Sequence, residues 1–266
     1  MNEYDEMREI NLQRDYKVVK ANEIIQRARY DLSITELRAM AFIFSKIKPN
    51  DAVVGQWFQF SAKDYCQVCG IDYNSGSNYR AIKAALKHLR DTSFWLRKED
   101  GSETTVGWLE KVNISPASGK ISVRLDEDLA GFLKGLYSNY TQYELLSTLP
   151  MRSNYSFRIY ELLKSYSGLK SYTFDIDELK SLLMAEKYVN FKDFRKKVLE
   201  IAVREINLYT DLEVSWRPVM KGRKVIQVYF DIQKRDVWGK LEAGQRARKA
   251  LDGQLTLNDF DPSLPG

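Results

Sequence analysis

The sequence contains very little cysteine and histidine, and this scarcity excludes several kinds of site. Of 266 residues, two are cysteine and one is histidine. A disulfide scaffold needs more thiols than Cys66 and Cys69 supply, and a tetrahedral zinc site needs four ligands. A redox role for this C-x-x-C pair requires a βαβ context, whereas the neighbouring residues have a helical pattern. We therefore predict two half-buried core thiols, no metal and no cofactor, in a protein of the reducing cytoplasm.

The motifs of common nucleotide- and DNA-processing enzymes are also missing. The chain has no G-x-x-x-x-G-K-[ST] loop, because Ser118–Ile121 lacks both the first glycine and the hydroxyl residue. A rolling-circle nickase needs a histidine-rich metal site beside a tyrosine nucleophile, and His88 alone does not provide one. The segment His88–Asp91 also lacks the arginine that a tyrosine recombinase carries three residues after the histidine. The sequence predicts a protein without catalytic residues.

Long apolar runs are absent, and Met1–Glu6 is acidic without the apolar stretch of a secretory signal. We therefore expect a soluble protein with no membrane partner. Hydrophobic residues make up 44% of the chain and charged residues 29%, the balance of a folded globular protein. Because 41 basic and 36 acidic side chains leave a net charge of only +5, an argument for nucleic acid depends on where the cations cluster.

The clearest cluster of cations lies within residues 188–233. An amphipathic helix is predicted from residue 191, with one apolar and one basic face. Its apolar residues are Phe191, Phe194, Val198 and Ile201, and its basic residues are Lys192, Arg195, Lys196 and Lys197. Two alternating, strand-like runs follow, and Lys221–Lys224 between them predicts a tight turn with a cationic tip. This is the layout of a winged helix, whose helix enters the major groove while the wing contacts the flanking backbone.

The first half of the chain contains a second helix-turn-helix pattern. Ser61 begins a predicted helix that ends near Gly70, and a turn-forming stretch leads into a helix from Asn78 to Arg90. Four cations recur on one face of that helix at intervals of three, four and three: Arg80, Lys83, Lys87 and Arg90. For both basic helices, a solvated surface is the alternative to DNA contact. Ser75, Ser77 and Asn78 at the helix entrance either donate to phosphates or cap the helix, and capping is favoured.

Strand and helix patterns alternate along the whole chain, which predicts an α+β fold. Asn22 and the pair Ser33–Glu36 carry helix-capping signals. Strand-like runs at residues 94–98, 104–114 and 121–125 predict a first wing or small sheet, and Thr141–Leu149 a short helix. The second half repeats the order of elements in the first. We predict a flexible arm (1–15), a first domain for DNA contact and dimerisation (16–136), a second domain as principal DNA reader (137–236) and a flexible tail (237–266).

Several segments together resemble the iteron-binding initiator proteins of bacterial plasmid replication. The segments are Tyr16–Ile25 with Leu32–Glu36, Tyr155–Leu163, and Phe191–Ala202 with Glu205–Asn207. They occur in the family's order, and the resemblance covers roughly residues 16 to 235. It implies two tandem winged-helix domains without catalytic residues, which bind short direct repeats at a plasmid origin.

The resemblance also implies partners beyond double-stranded DNA. Members of this family open adjacent A·T-rich DNA and recruit host replication proteins, such as the helicase and the host initiator. Many repress their own gene as dimers joined through the first domain, so a monomer–dimer equilibrium is expected. Gln254–Leu257 is similar to the start of peptides that dock in the bacterial sliding clamp, but Asn258 stands where an aromatic residue is usual. A disordered linker is therefore favoured over clamp docking for this segment.

The predicted DNA contacts divide into base readers and phosphate contacts. Arg195 and Lys196 are placed for base edges, and Arg217 and Lys224 for phosphates. The full predicted set is Ser75, Ser77, Asn78, Arg80, Lys83, Lys87, Arg90, Arg97, Lys98, Lys192, Arg195, Lys196, Lys197, Arg217, Lys221, Arg223 and Lys224. Two alternatives to a replication initiator remain: a winged-helix transcription regulator with no replication role and, more distantly, a DNA-nicking replication enzyme.

Overall fold

The computed structural model describes residues 3–47, 54–98, 100–133 and 139–253. The helices are α1 (Glu3–Arg14), α2 (Asn22–Arg27), α3 (Ile34–Ser45), α4 (Ala62–Cys69), α5 (Gly76–Asp91), α6 (Glu127–Leu133), α7 (Asn154–Ser165), α8 (Ile176–Leu182), α9 (Phe191–Phe194), α10 (Glu200–Tyr209) and α11 (Val237–Leu251). The strands are β1 (Lys17–Ala21), β2 (Ala28–Arg29), β3 (Trp57–Ser61), β4 (Ser93–Arg97), β5 (Glu103–Gly107), β6 (Leu109–Ser115), β7 (Lys120–Leu125), β8 (Tyr140–Glu144), β9 (Ser171–Asp175), β10 (Leu212–Lys221) and β11 (Lys224–Lys234). A 3₁₀ turn follows β8 at Leu145–Ser147, and a π-helical turn, Arg195–Leu199, joins α9 to α10. The mixture confirms the α+β class.

The second half of the chain folds as a winged helix. Its order is α7, β9, α8, the helix that runs from α9 through the π-helical turn to α10, and the hairpin β10–β11. β11 pairs antiparallel with both β10 and β9. Val228, Phe230 and Ile232 are buried at every second position of β11, so one face of the sheet covers the helices.

The first half repeats this order with one insertion. The elements α3, β3, α4, α5, β6 and β7 occupy the same places, and the sheet order β3-β7-β6 matches β9-β11-β10. Between α5 and β6 the chain inserts the hairpin β4–β5, which forms a separate sheet with β2. The predicted single wing or sheet over residues 94–125 is therefore wrong. Trp108 turns inward between β5 and β6 and is only 1% exposed, so the strand expected over residues 104–114 breaks there and the chain changes sheets.

The two winged-helix units share one hydrophobic core. Helix α7 lies between them, packing on α2 and α3 of the first half and on α10 of the second. The strands β1 and β8 pair antiparallel across the same region, with Lys17 opposite Glu144. Among the described residues, no helix combines the length and apolarity needed to cross a membrane.

Helix ends follow the predicted capping signals at most positions. The Ser33 hydroxyl accepts from the backbone N–H of Glu36, whose carboxylate accepts from the N–H of Ser33, and this confirms the capping box. Ser61 caps α4, and Gly70 ends that helix with φ +65°. The prediction for Asn22 is wrong, because its side-chain amide binds Asn139 and Thr141 instead of the helix backbone.

The segment 141–149 is not the helix that its sequence predicts. Tyr140–Glu144 forms β8, and only Leu145–Ser147 is helical, as a single 3₁₀ turn. The reason is a tertiary contact. Strand β1, more than a hundred residues earlier in the chain, would otherwise have an unpaired edge, and β8 forms hydrogen bonds with that edge.

Both ends of the chain differ from the predicted flexible arm and tail. Residues 3–14 form α1, whose last residue, Arg14, is buried at 2% exposure. The tail does not begin at residue 237, because residues 237–251 form α11 with Ala243 and Ala247 buried. Residues 254–266 lie outside the described residues, and so does the predicted domain boundary at residues 136 and 137.

Candidate nucleic-acid interface

The helix that begins at Phe191 presents its cations to solvent. Asn190 caps it by accepting from the N–H of Asp193. Phe194, Val198 and Ala202 are fully buried, which turns the opposite face outward. On that face Lys192, Lys196 and Lys197 are exposed, and Arg195 is half-buried. The predicted basic surface therefore exists and is accessible.

A π-helical turn lies where the base-reading residues were predicted. The N–H of Glu200 donates to the carbonyl of Arg195, five residues earlier. Arg195 Nε lies 3.2 Å from Glu200 Oε1, a pairing that the wider turn brings onto one face. π-Helical turns occur often at functional sites. Arg195 is thus already paired in the free protein, whereas Lys192 and Lys196 form no ion pair with any described residue.

The wing of the second unit ends in a tight cationic turn. Lys221 pairs with Lys224 across the strands, leaving Gly222 and Arg223 as a two-residue loop. Gly222 has φ +62°, a conformation that favours glycine and matches hairpin loops with glycine at the first position. Like charges directly opposite each other are destabilising. Lys221, Arg223 and Lys224 are all exposed, so this tip would gain from an anionic partner.

Two further cations of this unit rest on aromatic rings. The guanidinium of Arg217 lies 4.4 Å from the ring centre of Tyr229, and Lys197 Nζ lies 5.9 Å from that of Tyr188. Both cations keep their exposure to solvent. The rings restrict their motion without neutralising them.

The basic face of α5 divides into a paired and an unpaired half. Lys87 and Arg90 both form ion pairs with Asp91. Arg80 and Lys83, nearer the start of the helix, are exposed and form no ion pair with any described residue. Their positive charge is therefore the part of this face most available to a ligand.

The polar residues at the start of α5 do not cap it through their side chains. Ser75 occupies the N-cap position, but its hydroxyl bonds the hydroxyl of Ser77 at 2.6 Å. The Asn78 amide donates to the carbonyl of Asp72. The favoured capping role is therefore wrong for these side chains, because closer partners in the loop take their hydrogen bonds.

Arg97 and Lys98 lie apart from the other predicted contacts. They belong to the β4–β5 hairpin and line a cleft of about 800 Å³ together with Trp95. Its opposite wall, at the start of α8, carries Asp175 and Asp177. The acidic wall weakens the case for a phosphate contact here.

The actual wing of the first unit is the hairpin β6–β7, and the sequence analysis missed its cations. Lys111 and Lys120 are exposed on it. Lys120 directly follows the turn of residues 116–119, the position that Lys224 holds in the second wing. The Pro116–Gly119 turn signal between two alternating runs was the available clue.

The two cysteines are free and buried, as core thiols. Burial raises the pKa of Cys66 to about 11 and that of Cys69 to about 12, so both are protonated at neutral pH. Within the described part of the chain, no group of three or more His, Cys, Asp or Glu side chains is placed to hold a metal ion.

Comparison with known proteins gives two matches along the chain. The model for the initiator replication protein WH1 domain matches residues 17–164, and the model for the initiator Rep protein WH2 domain matches residues 175–232. This chain belongs to the initiator replication protein family. As an initiator protein with both domains, it has the two-winged-helix architecture that its element order shows.

A solved structure of another initiator has the same fold. The Pi initiator protein, whose crystal structure was determined in complex with iteron DNA, is 24% identical with a TM-score of 0.70. The alignment covers 84% of this initiator and 99% of that chain, which establishes the shared fold. The MSBI1.176 WH1 domain, a replication protein isolated from a multiple sclerosis patient, is 18% identical over 41% of this chain and 88% of its own, with a TM-score of 0.28. A score that low carries no argument.

Proposed function

We propose that this protein is a non-enzymatic initiator of plasmid replication that binds iteron repeats in double-stranded DNA through both winged-helix units. The observation that carries the proposal is the pairing, within each unit, of an exposed basic helix with a cation-bearing wing. The Pi initiator protein, which shares the fold, was crystallised in complex with iteron DNA. Two such units bind adjacent major grooves when both basic helices lie along one duplex.

The side chains divide between reading bases and holding the backbone. Lys196 and Arg195 project from the first turns of the second helix, where recognition helices contact base edges. The wing cations Lys221 and Lys224 contact phosphates, which fix register without reading sequence. Ser75, Ser77 and Asn78 donate to phosphates at the entrance of α5.

Several copies bound in array would open the neighbouring DNA. Bending and local melting of A·T-rich DNA would follow where it contains TA steps, because these flexible steps deform at low energetic cost. The bound protein then recruits host helicase and host initiator to the opened strands; for residues 254–257 a disordered linker is favoured over docking in the sliding clamp. The proposal also includes repression of the protein's own gene by dimers joined through the first unit, within the bacterial cytoplasm.

The test of base reading compares one helix variant with one wing variant. A duplex is first obtained by selecting bound molecules from a random-sequence pool. Lys196→Ala should weaken binding to this duplex by about 1–3 kcal/mol and narrow the gap between it and mismatched duplexes. Lys221→Ala is the matched control. It should weaken binding to all duplexes by the same amount and reduce the slope of log affinity against log salt concentration by about one. Equal loss on every sequence for Lys196→Ala would reassign that lysine to a phosphate.

A transcription regulator of the same architecture is the nearer alternative. Both proteins would protect repeated sites in the DNA flanking the gene, so footprinting alone does not separate them. Replication of a plasmid that carries only those repeats and the A·T-rich segment does separate them. If the plasmid is maintained only when this protein is supplied, the initiator function is established.

A nicking enzyme is the more distant alternative. Incubation of a supercoiled plasmid bearing the selected site, with protein and magnesium or manganese, measures nicking directly. The non-enzymatic proposal expects the plasmid to remain supercoiled. Conversion to the open circle, lost on substitution of a single tyrosine, would refute it.

A further inference from the structure

We propose that α1 and α11 form a brace that fixes the spacing between the two DNA-reading helices, and so sets the number of base pairs between their two contacts. This rests on the proposed binding of one duplex by both units. Both helices lie outside the segments that match the family, residues 17–164 and 175–232. The brace is therefore an addition to the two winged-helix domains of this chain.

The C-terminal part of α11 packs on the second reading helix. Ala247 is fully buried in a small cluster with Leu146 and Tyr209, the last residue of α10. Arg246 donates through Nε to the carbonyl of Leu208 at 3.0 Å. Helix α11 thereby seals the C-terminal end of the helix whose N-terminal end carries Arg195 and Lys196. Any movement of α11 relative to the second unit breaks these contacts.

The last residue of α11 packs on the turn that leads into the first reading helix. A Cβ atom placed on Gly70 would lie 2.6 Å from the carbonyl oxygen of Leu251, so the two backbones are in direct contact. Gly70 ends α4, and the loop after it enters α5. Arg246 and Leu251 lie within about one and a half turns of the same helix. This last part of α11 is a rigid connection between the turn of one unit and the reading helix of the other.

Helix α1 locks this end in place. Arg14 is 2% exposed and donates to the carbonyls of Val68 at 3.0 Å and Gln67 at 3.1 Å, both in the last turn of α4. Its third contact is the carboxylate of Asp252, at 3.0 Å. A single buried guanidinium thus ties α1, α4 and the end of α11 together. A second ion pair, between Arg248 and Asp15 at 2.5 Å, lies beside it.

These contacts imply a fixed geometry for the bound duplex. Inserting one base pair moves the second contact by about 3.4 Å and rotates it by about 35°. A rigidly braced protein cannot shift and rotate one reading helix to match, so it keeps the base contacts of only one helix. A protein without the brace can adjust, although ordering its units on binding lowers its affinity for the natural spacing as well.

The test uses the full-length protein and the duplex obtained by selection, with one base pair inserted or removed between its two footprinted grooves. Wild type should lose about 10-fold or more in affinity on either change, as it would for a mismatched base pair. Three variants open the brace at different points: Arg248→Glu, Arg14→Ala and Ala247→Glu. In these variants the affinity should fall by no more than about threefold when one base pair is inserted or removed. The control is Lys249→Glu, which makes the same charge change at an exposed neighbouring position. It should lose as much affinity as wild type when the spacing is changed.

The outcomes separate the brace from the proposed function. If the variants melt near the wild-type temperature and keep the full spacing penalty, the brace is refuted. If the variants bind duplexes of every spacing more weakly by the same factor, the brace is also refuted, because a merely structural role would give that result. Arg248→Glu breaks only a partly exposed pair and so keeps the test available if the buried substitutions fail to fold. If wild type selects no sequence, or protects only one groove, the proposed function fails instead.

Discussion

At the scale of single residues, the least expected feature is a buried group of three charges beside α7. Lys20 Nζ contacts both carboxylate oxygens of Glu161 at 3.0 and 3.1 Å, and Arg158 contacts the same carboxylate at 3.2 Å. Each of the three is at most 3% exposed. The Tyr143 hydroxyl donates to Glu161 at 2.8 Å. This group joins β1 and β8 to the helix shared by both units.

Removing the carboxylate should destabilise the protein strongly. Glu161→Gln leaves the cations of Lys20 and Arg158 buried without a counter-charge, which costs about 3–5 kcal/mol. The matched control is Glu144→Gln, because Glu144 pairs with Lys17 at 2.7 Å where both are about half exposed. That exposed pair should contribute less than about 1 kcal/mol. Urea denaturation of the three proteins measures the difference, and equal midpoints would contradict the prediction.

The same carboxylate predicts a pH dependence of stability. Burial acts to raise the pKa of Glu161, but the cations of Lys20 and Arg158 and the hydrogen bonds overcome it, so the pKa falls below its usual 4.5. A carboxyl whose pKa is lower in the folded state contributes stability above its unfolded pKa and loses it as pH falls through the folded value. Wild type should therefore lose stability below pH 4.5 more steeply than Glu161→Gln. Parallel curves in thermal melts from pH 6 to pH 3 would exclude this role.

At the scale of elements, the basic surface of the second unit includes two local departures from regular structure. The π-helical turn adds one residue to the second reading helix and turns Arg195 toward Glu200. The wing depends on Gly222 in the left-handed region. The π-helical turn also buries Val198 and Leu199 in the core, whereas the tip of the wing is exposed and is open to substitution without collapse of the unit.

The wing predicts a specific effect of a glycine substitution. Gly222→Val forces a β-branched residue to φ +62°, which costs about 1–2 kcal/mol and distorts the cationic tip. Affinity for any duplex should fall, and its salt dependence should become shallower, because fewer phosphates are held. Gly168→Val is the control, because Gly168 lies in an exposed turn with no atom near its Cβ position and no positive φ. Binding measured from 50 to 200 mM salt distinguishes them; identical slopes would contradict the role of the wing.

At the scale of the whole molecule, the net charge of +5 understates the attraction for DNA. Exposed cations cluster on two helices and two wings. With ~6–10 phosphate contacts, affinity should fall by about 10³–10⁵ between 50 and 200 mM salt. Fluorescence anisotropy with the selected duplex measures this fall. A flat response would count decisively against binding through these surfaces.

Local patterns were sufficient to predict the basic helix and the wing of the second unit. Hydrophobic periods of 3.6 and 2 residues identified the helix from Phe191 and the hairpin β10–β11, since such periods depend only on near neighbours. The cations on these elements, and those of α5, were visible for the same reason. The capping box at Ser33 and the helix end at Gly70 are equally local signals, and the structure confirms both.

Only the tertiary structure decided how distant segments meet. Lys20 and Glu161 are 141 residues apart, and Arg14 and Asp252 are 238 apart. No periodicity links such pairs, so the ends of the chain resembled a flexible arm and tail, and β8 resembled a helix. Burial in a shared core overrides local propensity at these positions, because the contacts that form there outweigh the small intrinsic preferences of each residue. The sequence thus determined the elements that are proposed to read DNA, and the packing of far-separated segments determined how those elements are held.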